Sequence, residues 1–179
     1  MTSAEIARLL PEVFRAGLGE RSVLSALLGV MDSLHAPSEQ VLERLDAFFD
    51  PLRTPDRFVP MLARWVDLEH LFVRSAAEPA AQGDAISTGT GPLRGLVARA
   101  AHLSQWRGTR AGLIDFLETA TSATGFHIDE QVAGPDGRPR PFHMQVHVPA
   151  ALETHRALIE RIVDSEKPAY VTCEIHFNP

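Results

Sequence analysis

Phe126-His-Ile-Asp-Glu-Gln-Val132 and Phe142-His-Met-Gln-Val-His-Val148 repeat their apolar residues every second position. That is the period of a β-strand with one covered face, and it ends the helical spacing that precedes it. Phe126, Ile128, Glu130 and Val132 share one face of the first strand; Phe142, Met144, Val146 and Val148 share one face of the second. Gly134-Pro-Asp-Gly137 between them reads as a tight turn, with Pro135 fixing φ and Gly137 free to take φ > 0. The two runs therefore predict a hairpin. Downstream, Leu152, Leu158, Ile159, Ile162 and Val163 predict a helix after Pro149 that ends before Pro168. A last strand, Tyr170 to Phe177, turns Val171, Cys173, Ile175 and Phe177 inward. A right-handed crossover makes the second and third strands parallel, and the first strand is placed between them. The fold class is α+β, with a small β-β-α-β sheet and one helix on its apolar face.

Upstream the spacing is helical. Val23, Leu27, Val30 and Leu34 recur at four, three and four residues, close to a coiled-coil seam, with Leu24, Leu28 and Met31 widening the stripe. Pro37 either kinks one long helix or begins a second. The pattern resumes at Val41, Leu45, Phe48 and Leu52. A third helix is expected from Thr54 as N-cap and Pro55, through Phe58, Leu62, Trp65 and Val66, although Pro60 inside it argues for a later start. Ser75 to Gly91 has no period and reads as a linker or exposed loop. Pro92 opens a helix through Leu93, Leu96, Val97, Ala100 and Leu103. A second is capped by Thr109, carries Leu113, Ile114, Leu117 and Ala120 inward, and stops at Gly125. The expected organisation is a helical, bundle-forming region over 1–74, a linker over 75–91 and an α+β domain over 92–179.

The chain has 179 residues, 45% of them hydrophobic and 22% charged, with a net charge of −6 and one cysteine. Size and composition suit a globular protein with a real core. The negative charge argues against general binding to nucleic acid or anionic membranes. One cysteine excludes an internal disulfide framework and multi-thiolate zinc sites. No run reaches the roughly 18 apolar residues of a membrane span. The start, Met1-Thr-Ser-Ala-Glu-Ile-Ala-Arg8, does not resemble a secretory leader, so a soluble protein made in the cytoplasm is expected.

Chemistry is sparse. His127, Asp129, His143, Gln145, His147, Glu174 and His176 fall on the polar face of the strands, where imidazoles and carboxylates could serve a metal. The wet face of an antiparallel sheet also needs polar residues, and that reading is preferred. Cys173 faces inward as a small buried hydrophobe. Asp67, Glu69 and His70 read as solvated charges. Ser87-Thr-Gly-Thr-Gly91 lacks the lysine of a phosphate loop. Arg107-Gly-Thr-Arg110 reads as a joint between helices whose arginines form ion pairs. No catalytic residue, metal or cofactor is expected. The helices carry more apolar surface than a small sheet can hide, with Phe48 and Phe49 and Trp65 with Phe72 among the surplus.

The order of these segments resembles the phage tail protein I family. The matching stretches are Leu9-Leu10-Pro-Glu-Val-Phe14, Phe49-Asp-Pro51, Phe58-Val-Pro-Met-Leu-Ala-Arg-Trp65, Trp106-Arg-Gly-Thr109 with Gly112-Leu113, Thr124-Gly125 ahead of Glu130, and Glu166-Lys-Pro-Ala169. The resemblance implies a non-enzymatic wedge subunit in the baseplate of a contractile phage tail or injection system. It would join larger wedge subunits through a helical bundle and meet neighbouring wedges or the hub through its α+β part, as a hetero-oligomer built into the particle. Interface residues on this reading are Val23, Leu27, Val30, Leu34, Val41, Leu45, Phe48, Trp65, Trp106, Arg107 and Arg110. The departure from the family pattern is the length of the 75–91 stretch. The rival functions are a small metal-binding hydrolase on the histidine-rich sheet face and an adaptor carried by the particle.

Overall fold

A computed structural model describes residues 3–19, 22–72, 86–134 and 137–178. Two compact units divide at Phe48 and Phe49, so the segment through Phe58, Leu62 and Phe72 groups with the α+β portion.

The first unit is helical. It holds α1 (Ser3–Leu9), α2 (Glu12–Arg15) and α3 (Val23–Glu43), and α4 (Leu45–Phe49) follows across the boundary. Ser22 caps α3, its hydroxyl accepting from the Ser25 amide at 3.1 Å, a cap the helical spacing alone does not reveal. α3 runs through Pro37 as one helix, although proline there removes the amide that would bond the Ser33 carbonyl. α1 packs on α3, and Ile6 and Leu28 are buried.

The second unit begins with a 3₁₀ turn, Asp56–Phe58, and α5 (Val59–Trp65). The expected start at Thr54 is displaced because Pro60 is tolerated only within the first turn of the helix, where it sits. α6 (Thr90–Gln105) begins two residues before Pro92, after Gly89 at φ 94°. The expected linker is partly structured: Ile86 is buried and Thr88 Oγ1 donates to the Ala120 carbonyl at 2.7 Å, while 75–85 lies outside the described residues. α7 (Arg110–Thr121) ends on Ser122 in the left-handed conformation, three residues before Gly125. Thr109 caps it as expected, accepting from the Gly112 amide at 3.0 Å.

The sheet has the order β1-β2-β3, built from β1 (His127–Asp129), β2 (His143–Pro149) and β3 (Thr172–Asn178). β2, not β1, is central: it pairs antiparallel with β1 and parallel with β3. A hairpin makes neighbours of its two strands, and the crossover then has the free side of β2 to fill. The connection closes with Gly137 donating to the Gly134 carbonyl at 3.0 Å; Pro135 lies outside the described residues. β1 stops at Asp129, so Glu130 is exposed instead of sharing the face of Ile128. Phe142 also leaves its expected face. It takes φ 55° ahead of β2, with its carbonyl accepting from the Thr172 amide and hydroxyl, and its ring lies exposed edge-on to Tyr170. A 3₁₀ turn, Ala150–His155, leads into α8 (Arg156–Glu166). Leu158, Ile159, Ile162 and Val163 of α8, Leu113, Phe116 and Leu117 of α7, and Met144, Val146 and Val148 of β2 share one core. Phe72, expected as spare surface, is part of it.

Three helices converge on the turn Trp106–Thr109. Gly108 adopts φ 76° and donates to the Glu166 carbonyl at 3.1 Å. Arg107 grips the buried Glu166 carboxylate through Nε at 3.2 Å and Nη2 at 3.1 Å. A Cβ on Gly112 would overlap the Trp106 carbonyl oxygen. Gly112→Ala is expected to lower stability by about 3 kcal/mol, since the turn backbone must move to admit the methyl. Arg107→Ala is expected to cost about 2–3 kcal/mol, the low side for breaking a buried pair because half of Arg107 stays in water. Denaturant melts of both variants check these values.

Candidate interaction surfaces

α3 presents its seam to solvent. Val23 is 87% exposed and Leu34 72%, while Leu27, Val30, Val41 and Leu42 are also exposed. The 21 residues of α3 bury only Leu28, the opposite of a helix whose apolar stripe is satisfied within its own chain. Burying a side chain of this size yields about 1.5 kcal/mol or more, so the uncovered stripe is a large unused driving force. Leu45 at the start of α4 is exposed and Phe48 half-buried. In the second unit, the exposed Trp65 ring stacks on Phe49 at 5.7 Å between centroids.

The other three expected interface residues gather at the turn between α6 and α7. Trp106 is half-exposed beside His102. Arg107 holds Glu166 while nearly half of its side chain stays in solvent. Arg110 reaches His127, with Nη2 3.4 Å from Nδ1. A cleft of about 200 Å³ opens here between Gly108–Arg110, the start of β2 and the connector Lys167–Pro168.

The polar sheet face carries a row of histidines. The register sets His127 opposite His147 and His147 opposite His176, with ring centroids 5.9 and 5.8 Å apart and planes within 30° of parallel. Rings lying side by side in this way do not converge on a common point. Among the described residues no group of three His, Cys, Asp or Glu is placed to hold a metal ion. His143, expected on the wet face, is buried. Thr172 directs its hydroxyl hydrogen to the Phe142 carbonyl, so it accepts from His143 Nδ1 at 2.8 Å, leaving Nε2 to accept from Arg140 at 3.3 Å. This tautomer is assigned from the hydrogen-bond network. Burial pushes the half-buried Cys173 thiol up to about 11, which keeps it protonated and poorly nucleophilic. His70 is likewise tied down, with Nδ1 2.9 Å from the Asp67 carbonyl and Nε2 3.1 Å from Ser165 Oγ.

The Glu174 carboxylate on this face titrates below its ordinary value. The hydrogen bond from Arg140 holds its carboxyl below the ordinary carboxylate range, with partial desolvation opposing it and the Gln145 hydrogen bond adding to it. A lowered folded-state value stabilises the fold above the unfolded pKa, and that contribution disappears as pH falls through the folded value. Glu174→Gln should therefore melt with a shallower acid dependence than the parent below pH 4.5, and match its slope above neutrality; thermal melts across pH check this.

Residues 20–170, most of the chain, match the protein family described as phage tail protein (Tail_P2_I). No curated protein matches the chain.

Proposed function

The chain belongs to the phage tail protein I family, and with that as premise we propose that it is a wedge subunit of the baseplate in a contractile tail or a contractile injection system. Its work is mechanical: to join larger wedge subunits and hold them in an arrangement that rearranges when the tail is triggered. The observation that carries this reading is the seam Val23, Leu27, Val30, Leu34 and Val41, apolar at coiled-coil spacing and left in solvent along a helix of roughly 31 Å. Knobs of this kind insert between the helices of a partner, and a larger baseplate subunit supplies them as a bundle. Trp65 on its Phe49 platform and Trp106 add apolar anchors of the type that dominates protein interfaces.

The test is capture by a larger baseplate subunit encoded alongside this protein. Because Leu27 and Val30 are exposed, Leu27→Asp with Val30→Asp should change the stability of the free chain by no more than about 0.5 kcal/mol per site, while reducing capture at least about tenfold. Capture undiminished by the double substitution would remove the seam from the interface. Assembly of complete baseplates without the protein would remove the wedge assignment.

A further inference from the structure

β3 forms one edge of the sheet, and among the described residues no strand lies beyond it. The Thr172 amide bonds the Phe142 carbonyl, which sets the alternation for the whole strand. The N–H and C=O of one residue point to the same side, so Thr172, Glu174, His176 and Asn178 face β2, and Cys173, Ile175 and Phe177 turn their backbone groups outward. The same three residues make the apolar row of β3. They stay half-buried while Met144, Val146 and Val148 beside them on β2 are buried. Among the described residues the strand Thr-Cys-Glu-Ile-His-Phe-Asn carries no proline, lysine or bulge, three of the devices that commonly protect an edge. Its one charge is Glu174, and Arg156 covers the Phe177 ring at its far end.

We infer that this edge pairs with β3 of a second copy of the chain, antiparallel about a two-fold axis through Ile175, making one continuous sheet across the two copies. The register follows from self-complementarity, which a two-fold interface requires. An axis through Ile175 sets Ile175 against itself, Cys173 against Phe177, Glu174 against His176 and Thr172 against Asn178. All outward N–H and C=O groups of both strands then meet as hydrogen-bonded pairs. Carboxylate and imidazole meet at the non-hydrogen-bonded positions, where opposing side chains come closest. An axis between residues would oppose outward backbone groups to groups already bonded to β2. An axis through Glu174 opposes two carboxylates, and one through His176 opposes two imidazoles. Of these registers, the one through Ile175 is where the backbone pattern, the apolar row and the polar row agree, and it leaves the fewest residues of β3 unpaired.

The test joins cross-linking to sedimentation. Glu174→Cys and His176→Cys proteins, mixed and mildly oxidised, should give a disulfide dimer containing one of each. Each variant alone should give little, since equivalent thiols are then two positions out of register, beyond the ~7 Å reach of a disulfide. Ile175→Pro removes an outward amide and leaves every bond to β2, a placement an edge strand tolerates. It should weaken self-association of the full chain at least about tenfold, with circular dichroism confirming that the sheet is intact. A parent chain monomeric at every concentration overturns the proposal. So does equal cross-linking in the single variants, or association that survives Ile175→Pro in a folded protein, which would point to α3. Protection of the β3 amides appearing only when another tail protein is added would assign the edge to that protein instead.

Discussion

The absence of a side chain at Gly112 governs the second unit. It lets α7 start against the Trp106 carbonyl, closer than any Cβ would allow. That approach permits Thr109 to cap α7 while Gly108 bonds back to the Glu166 carbonyl. Arg107 is then positioned to grip the Glu166 carboxylate at the end of α8. The ends of α6, α7 and α8 are thereby held at one point, and α7 and α8 can present their apolar faces to the same sheet. A buried ion pair is weak evidence of net stability, but it discriminates between arrangements, because an ungripped carboxylate at that depth is heavily penalised. Within Trp106–Gly112, one residue is a void, one a cap, one a clamp and one a left-handed corner. Each constrains the next.

Much of this architecture was legible from spacing. The switch from helical period to period two located the sheet, and Leu158, Ile159, Ile162 and Val163 located the helix that covers it. Thr109 was readable as a cap because it precedes an amphipathic run. The strand order was not readable from β1 and β2, since alternation states which face is buried and says nothing about which edge is taken. Phe142 misled because its apolar ring suited the pattern, while two hydrogen bonds from Thr172 to its carbonyl fix a left-handed backbone that sends the ring outward. His143 misled in the opposite sense. It keeps the polar parity of its strand yet is buried, because Arg140, Thr172 and Glu174 close over it. Such coverage arises from residues distant in sequence and leaves no periodic trace. Glu166 likewise gave no local sign that an arginine 59 positions earlier would claim it.

Several polar side chains of the second unit act as fasteners. His70 spans from Asp67 to Ser165, Arg94 ties the carbonyls of Pro51 and Thr54 and the Asp56 carboxylate, and Arg161 donates to the Phe72 carbonyl at 2.7 Å. Most of these bonds join segments far apart in the chain.

α3 carries a kinetic consequence. A helix with Leu28 as its single buried residue has little tertiary tethering, so its backbone amides should exchange with solvent far faster than those of α7 or α8, whose apolar faces are enclosed. Any chain that packs along α3 must therefore quiet its fluctuations as well as cover its leucines and valines, and part of the gain from burial is consumed in doing so. Binding strength at this surface will track how rigid the rod already is. On the proposed α3 contact, substitutions that raise the intrinsic helicity of α3 away from the seam, Gly29→Ala for example, where nothing crowds an added methyl, would tighten binding without touching a partner.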